Sequence, residues 1–391
     1  MRFIMFHIVE AISCILGLAP CRINITPQSA KKIDYSFTLS FSQLRCAYNI
    51  LLTIFFSTII ILAVPHMTEV SYPNNSKTVM VIVIALAISG NLFAIMIIIF
   101  YSIFQRHIIN IGNRLSEFDR KYGHKLFGMR SSGIGDLQKF ITIILMILVW
   151  IGLLTTSLVV PPQLFLITSA LCTAFLSWIL IQYSLIINIL RDRFEGLNNA
   201  FLAISKCPIA FEENSIFSGY TMNVRLTIEN FIMIRRARNM LYEISRQVSK
   251  FFSFPVLVVV SHCCCSCVDS IYFLIMTLVP FKFNGFSMIS VNSVFWILMC
   301  AYPITVLSAS VNTFHAETDR TADIIYGIME IYACNKNIQS ELNNFAIELL
   351  HTRVQFTACG VFSLDCSLLH SIFGMIVTYL LILLQFKPTD G

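Results

Sequence analysis

The stretch that decides the fold is Thr78–Phe100, which reads TVMVIVIALAISGNLFAIMIIIF and contains no charged residue. As a helix it is long enough to cross the roughly 30 Å hydrocarbon core of a bilayer. A backbone inside lipid must satisfy its own hydrogen bonds, so the stretch predicts a transmembrane helix. The composition agrees with this, since 57% of the residues are hydrophobic, 12% are charged and the mean hydropathy is +0.76.

Six further stretches have the same apolar character. With the first, they predict an all-α polytopic membrane protein with seven transmembrane helices. The spans, in chain order, are Leu44–Val64, Thr78–Phe100, Phe140–Val160, Leu164–Leu190, Phe251–Pro280, Met288–Ser310 and Leu368–Phe386.

The positive charges indicate which way the chain threads the membrane. Of the 27 Lys and Arg residues, 22 lie in the segment before the first span and in the alternate loops that share its side. The positive-inside rule then places the N-terminus in the cytosol and the C-terminus outside the cell. A G-protein-coupled receptor has the opposite arrangement, which makes that class the weaker alternative.

The net charge of +6 arises from these predicted cytosolic segments. Contact with anionic lipid headgroups explains such a charge, so membrane lipids are expected partners and nucleic acid is not. The predicted domains are a cytosolic segment over 1–43, the transmembrane domain over 44–386 and a short extracellular tail over 387–391. Within the first segment, Met1–Pro20 is expected to form a retained cytosolic or interfacial helix rather than a cleaved signal peptide.

Helical patterns continue outside the predicted spans. Apolar residues recur at helical spacing between Asn223 and Lys250 and again between Ile338 and Phe356. Both segments are too highly charged to insert into lipid. We therefore expect spans four, five and six to continue into the cytosol, where residues of about 191–250 and 311–367 form a helical anchor.

The predicted extracellular loops are short and leave little material to capture a protein ligand. A small molecule would have to enter between the helices. One of these loops carries Asn74-Asn75-Ser76, a glycosylation sequon that fits the predicted topology.

The last span carries a stripe of small and polar residues. Ser371, Thr378 and Gln385 are spaced seven apart, so they nearly line up along one face, with Leu381 close to it. Such a stripe is typical of a face that packs against a neighbouring helix, and it also suits a helix that lines water. The spacing alone leaves both interpretations open.

Three segments resemble the insect gustatory receptor family. Thr378-Tyr379, five hydrophobic residues and Gln385-Phe386 match the C-terminal signature of that family. Upstream, Phe356–Asp365 is similar to the segment before the last span, and Leu16-Gly17-Leu18-Ala19-Pro20 resembles a less specific N-terminal motif.

The resemblance implies a ligand-gated, non-selective cation channel in the plasma membrane of a sensory neuron dendrite. Four subunits, identical or mixed with other gustatory receptors, would each contribute the last helix to one pore. Gln385 and Phe386 would lie at the outer gate of that pore, and a small-molecule tastant would bind among the outer halves of spans two to six. Leu380 follows Thr378-Tyr379, where sugar receptors typically have an acidic residue; this favours a bitter-type or divergent receptor and leaves a fructose-type receptor open.

Candidate pocket residues follow from polarity at depth in the membrane. Asp269 is an acidic residue deep within a span, and it is either a protonated or hydrogen-bonded helix contact or a polar group that faces a ligand. Tryptophans usually lie at membrane interfaces, but three occur near mid-depth, where they either pack in the core or line an aromatic pocket. They are Trp150, Trp178 and Trp296, with Asn292, Thr168 and Gln163 as possible polar anchors.

Other chemistry has weaker support. The run His262-Cys263-Cys264-Cys265-Ser266-Cys267 does not predict a metal site, because consecutive residues on a helix point about 100° apart. We therefore expect no metal and no cofactor. His315, Glu317 and Asp319 are close in sequence but only a weak signal for an enzyme, so no catalytic residue is predicted. A secondary transporter is the alternative function, although the internal repeat typical of such proteins is not evident.

Overall fold

The computed structural model describes residues 2–19, 21–27, 35–68, 77–126, 133–160, 163–206, 217–278, 288–333 and 336–385. These residues form ten helices and two small antiparallel hairpins. The helices are α1 (Arg2–Ile15), α2 (Gln43–Thr68), α3 (Lys77–Ile103), α4 (Gln105–Leu126), α5 (Gly133–Val159), α6 (Gln163–Lys206), α7 (Phe217–Leu278), α8 (Met288–Ile331), α9 (Lys336–His351) and α10 (Cys366–Gln385). The hairpins pair β1 (Cys21–Pro27) with β2 (Tyr35–Phe41) and β3 (Thr357–Ala358) with β4 (Phe362–Ser363).

Within the described residues, each of the seven predicted spans coincides with a helix. By length and composition, α2, α3, α5, α6, α7 and α8 are each long and apolar enough to cross a membrane. Helix α10 has 20 residues, of which Cys366–Ile382 form a shorter apolar stretch. At 1.5 Å per residue, 20 residues extend about 30 Å, which matches the hydrocarbon thickness.

Three helices continue far beyond any membrane thickness, as the pattern of apolar residues predicts. Helices α6 and α8 have 44 residues each and α7 has 62, which is about 93 Å of continuous helix for α7. Their extensions meet α4 and α9 at one end of the bundle, here called the basic end. Helix α9 ends at His351 rather than at Phe356, so this predicted helix was too long.

Ion pairs and hydrogen bonds between helices hold the basic end together. The guanidinium group of Arg193 on α6 donates to both carboxylate oxygens of Asp119 on α4, at 3.2 and 2.8 Å. On α7, Nε of Arg235 donates to Glu348 of α9 at 2.6 Å. The charged residues of the extensions thus form ion pairs between neighbouring helices at the basic end.

The N-terminal helix α1 packs against the bundle. The indole nitrogen of Trp178 on α6 donates to the Ser13 hydroxyl at 3.1 Å. The chain then turns at Gly17, where φ is +72° and an added Cβ would lie 2.5 Å from Oδ1 of Asn49. The positive φ and the close contact both require glycine, which gives a physical reason for Gly17 in the Leu16–Pro20 motif.

A short hairpin connects the bundle to α10. The hydroxyl of Ser253 on α7 donates to the Thr357 carbonyl at 3.1 Å, which anchors β3. Asp365 then precedes α10 and accepts a hydrogen bond from the Ser367 amide at 2.9 Å, as a helix N-cap does. The Ser367 hydroxyl also donates to this carboxylate and lowers the pKa of Asp365, so the cap is ionised at neutral pH.

Candidate functional site

The candidate site is a cavity of about 410 Å³ at the end of the bundle opposite the basic end, here called the main cavity. It lies between the start of α3, the ends of α5 and α7, and the starts of α6 and α8. Its walls are largely apolar and include Val83, Ala87, Phe165, Phe273 and Trp296. A cavity of this size and lining suits a small organic molecule.

Asp269 is the acidic residue of the cavity lining. Its carboxylate makes no hydrogen bond with any residue in the described part of the chain. A carboxylate among apolar walls is costly unless a cation or hydrogen-bond donor meets it. Asp269 therefore faces the main cavity and not a hydrogen-bond partner on a neighbouring described helix.

A second group of polar atoms in the lining also has spare hydrogen-bonding capacity. His262 is 5% exposed, and its Nδ1 has no hydrogen-bond partner among the described residues. The Ser169 hydroxyl, across the cavity on α6, is likewise without a described partner. Buried polar atoms are normally paired, so these two can be satisfied by a bound molecule or by water.

Asn292 contributes a carboxamide from the start of α8. Its Oδ1 accepts hydrogen bonds from Thr156 at 2.9 Å and from Ser157 at 3.3 Å, both on α5. Its Nδ2 amino group makes no such bond within the described residues. The amide is therefore oriented by two hydroxyls and keeps a donor for the cavity that it lines.

The structure separates the predicted pocket residues into two groups. Asp269, Asn292 and Trp296 line the main cavity. Trp178 is fully buried by its contact with α1, and the ring of Trp150 packs edge-on against it at 5.6 Å. These two tryptophans form core contacts and are not among the described lining residues.

Thr168 is also outside the described lining. Its hydroxyl donates to the backbone carbonyl of Phe165 at 2.9 Å. Gln163 is the first residue of α6, and its side chain lies outside what the structure describes. Asn74 and Phe386 also lie outside the described residues.

Sequence reasoning missed His262, Ser169 and Gly90 in the cavity lining. One signal was available for the first of them. His262 and Asp269 are seven residues apart on α7, so they lie on the same face of the helix. Because Asp269 was already a pocket candidate, its face of α7 could have been searched for further lining residues. Gly90 carries no side chain to reveal its position.

The structure also describes the two other polar groups that the sequence analysis considered, the histidine and cysteine run on α7 and the acidic residues near His315 on α8. Among the described residues, no group of three or more His, Cys, Asp or Glu side chains could hold a metal ion. The Cys263–Cys267 thiols are spread around α7, with Cys265 exposed and its neighbours buried. Glu317 accepts a hydrogen bond from Asn198 at 2.8 Å, which turns it away from His315 and Asp319.

The polar stripe of α10 faces out of the chain. Ser371, Thr378 and Gln385 are exposed, and Leu381 is 57% exposed. The two hydroxyls donate to backbone carbonyls one turn earlier, at 3.1 and 2.9 Å. The stripe therefore does not serve packing against another described helix of the same chain.

The opposite side of α10 packs beside the main cavity. Leu380 contacts a buried apolar cluster formed by Val83, Ala87, Phe165 and Tyr272, and the first three also line the cavity. One side chain thus joins the last helix to a cluster that borders the cavity. In the sequence analysis, Leu380 was notable only because sugar receptors typically have an acidic residue at its position.

Gly90 sets the space available to His262. A Cβ added at Gly90 would lie 2.7 Å from Cε1 of the His262 ring, which is too close. Gly90→Ala is therefore expected to push the imidazole into the main cavity and to lower agonist potency by about tenfold, a cost of ~1.4 kcal/mol within the range for overpacking. Dose–response curves at matched surface expression measure this effect.

The double variant Gly90→Ala/His262→Ala is the control, because removal of the ring removes the clash. We expect its potency to match that of His262→Ala alone. If Gly90→Ala lowers potency equally in both backgrounds, the contact between these two residues is not the cause.

Comparison with known proteins identifies the family. The profile described as "7tm Chemosensory receptor" matches residues 7–390. In Drosophila melanogaster, putative gustatory receptor 28b is 25% identical over 45% of this chain and 38% of its own length, and gustatory and pheromone receptor 32a is 33% identical over 28% and 24%. The matches thus span less than two fifths of these curated relatives.

The fold also matches a solved structure. The insect olfactory receptor OR5 from Machilis hrabei, in complex with eugenol, superposes with a TM-score of 0.69 over 99% of this chain and 98% of that chain. Sequence identity is only 13%, so this likeness concerns the fold. The helices, the C-terminal signature and the family profile agree, and the chain belongs to the 7tm chemosensory receptor family.

Proposed function

We propose that the chain is a subunit of a ligand-gated, non-selective cation channel that detects small-molecule tastants. The observation that carries the proposal is the pair of opposite faces on α10. Leu380 packs against the buried cluster of Val83, Ala87, Phe165 and Tyr272, which borders the main cavity. Ser371, Thr378 and Gln385 face out of the chain. One helix can therefore respond to cavity occupancy on one side and line a pore on the other.

The pore would form between copies of this helix. A primary amide such as that of Gln385 is costly in lipid, and a shared aqueous axis satisfies it. Four subunits, identical or mixed with related receptors, would place their α10 stripes around that axis, as the resemblance implies. Ligand binding opens such a pore only if the ligand binds the open state more tightly than the closed state.

The proposed orientation puts the basic end in the cytosol and the main cavity in the outer half of the plasma membrane. The distribution of Lys and Arg supports this arrangement. A tastant would then reach the cavity from the outer side, between short loops.

The proposed ligands are bitter-type or other mostly apolar molecules rather than disaccharides. A sugar requires many hydrogen-bonding groups, whereas Val83, Ala87, Phe165 and Phe273 give this cavity apolar walls. Leu380 adds a further apolar contact where an acidic residue is typical of sugar receptors. The carboxylate of Asp269 favours ligands that carry an amine, and the aromatic rings also suit a cation.

Expression of the chain in cells without other chemoreceptors, followed by calcium imaging, tests this function. The panel should contain alkaloid amines, their neutral analogues of similar shape, sugars and amino acids. We expect responses to amines that disappear when external cations are replaced by an impermeant ion. Responses that persist after this replacement would contradict a channel, and responses to sugars alone would contradict the proposed ligand class.

A further inference from the structure

A second cavity, of about 240 Å³, lies at the basic end and has no part in the proposed channel function. Helices α7, α8 and α9 enclose it together with residues 352–355, which lead towards α10. We call it the anchor cavity. Its lining combines two arginines, a histidine and several hydroxyl groups, which distinguishes it from the apolar main cavity.

Arg238 is the buried cation of the anchor cavity. Arg238 is only 4% exposed, and its Nη1 donates to the Thr352 hydroxyl at 3.0 Å. Its Nε is buried and has no partner among the described residues. A guanidinium group remains charged even when buried, so Arg238 contributes positive charge to the wall of the anchor cavity.

His315 supplies a second unpartnered nitrogen. Its ring stacks on Phe356 with centroids 5.7 Å apart and an angle of 27°, which fixes the imidazole plane. Nε2 is buried and has no hydrogen-bond partner within the described residues. Two residues that line one cavity, on α7 and α8, thus each have a buried nitrogen without a hydrogen-bond partner among the described residues.

The remaining polar groups favour an anion. Arg353 is largely exposed at the cavity mouth and lies 3.8 Å from Asp319, a distance at which an exposed pair is weak. Within the described lining, two guanidinium groups meet one carboxylate. Glu348, which is ion-paired with Arg235, lies near Arg238, and Asp365 lies near His315, but neither is in that lining. Hydroxyls of Tyr242, Tyr326 and Thr318 add hydrogen-bonding capacity.

We propose that the anchor cavity binds the phosphate group of a small phosphorylated molecule. A phosphate offers several acceptor oxygens to converging guanidinium, imidazole and hydroxyl donors, and arginine is well suited to it. A chloride ion would leave most of a 240 Å³ cavity unfilled. Phosphate bound to Arg238 and Arg353 would tie α7 to the segment that leads into α10.

The phosphate has two possible sources, a soluble metabolite and a lipid headgroup. Arg238 precedes the predicted start of the fifth span by 13 residues, which is about 20 Å along the helix. His315 follows the predicted end of the sixth span by five residues, about 8 Å. The cavity therefore extends from near the membrane surface into the cytosolic side, and the experiment must separate the two sources.

Thermal unfolding of the purified full-length chain in phosphatidylcholine nanodiscs tests the proposal. One arm adds inorganic phosphate or inositol trisphosphate, with sodium chloride at equal ionic strength as the control. The other arm adds phosphatidylinositol bisphosphate to the nanodiscs. Stabilisation in the first arm identifies a soluble ligand, and stabilisation in the second arm alone identifies a lipid headgroup.

The variants Arg353→Gln and His315→Phe make the test specific. The Arg353 side chain is 77% exposed, and phenylalanine preserves the stacking on Phe356, so both variants should fold. We expect each to raise the apparent Kd of the stabilising phosphate compound at least tenfold. Arg236→Gln, which removes an exposed charge two residues from Arg238 on α7, should leave the Kd within twofold.

Two results would overturn the proposal. The first is an absence of stabilisation beyond that of sodium chloride in both arms. The second is stabilisation of the same size in wild type, Arg353→Gln and His315→Phe, because general screening of the basic end would then explain it.

Discussion

Replacing Leu380 with alanine should lower the agonist sensitivity of the current by about tenfold while agonist affinity for the closed protein stays nearly unchanged. Leu380 packs against the cluster of Val83, Ala87, Phe165 and Tyr272, and the first three of these line the main cavity. Among the described α10 residues, it is the side chain in contact with that cluster. Truncation removes the contact through which a filled cavity acts on α10. A tenfold change corresponds to ~1.4 kcal/mol of coupling, within the range typical of coupled sites.

The measurement compares whole-cell dose–response curves with displacement of labelled agonist from membranes. Phe373→Ala is the control, because Phe373 lies seven residues before Leu380 on the same face of α10, away from the polar stripe, and is 70% exposed. Its dose–response curve should match that of the wild type. A Leu380→Ala channel with wild-type sensitivity, or with equal losses in binding and current, would show that this contact does not transmit ligand binding.

Asp269→Asn should reduce the potency of amine agonists by about 10- to 100-fold and leave neutral agonists of similar shape nearly unaffected. The substitution keeps the size of the side chain and removes only its charge. A hydrogen bond to a charged group contributes about 1.5–3 kcal/mol, which corresponds to this range of potency. Asp269 lines a cavity in which no described residue neutralises it, so a cationic ligand gains the full interaction.

Paired dose–response curves for an amine and its neutral analogue measure this effect at matched surface expression. Asp323→Asn removes an exposed carboxylate from α8 at the basic end and should leave both curves unchanged. Equal potency losses for the amine and the neutral analogue would indicate that Asp269 supports the cavity structure instead of binding charge.

The membrane helices could be located from the sequence because the length of a continuous apolar stretch is read from consecutive residues. Within the described residues, each predicted span, from Leu44–Val64 to Leu368–Phe386, coincides with a helix whose ends differ by several residues or continue into an extension. Sequence reasoning missed α4, whose mean composition is polar although one face is apolar. The β1–β2 hairpin was missed as well, because its pairing depends on contacts between segments and not on a long local pattern.

The candidate site was only partly accessible to sequence reasoning. Asp269, Asn292 and Trp296 were identified because polar or aromatic residues at depth in a membrane are unusual. Trp178 was selected for the same reason, but it packs against α1. That tertiary contact cannot be read from a local sequence pattern. Leu380 and Gly90 have ordinary side chains for a membrane helix, and only their neighbours in space reveal their positions.

The most direct test of the account is a recording from the purified full-length chain in a planar lipid bilayer, with an agonist identified by calcium imaging. The account predicts agonist-evoked single-channel cation currents, and it predicts that Gln385→Lys lowers calcium permeability relative to sodium by placing positive charge in the pore. Bilayers that stay silent with an agonist that activates intact cells expressing the same chain would contradict the account.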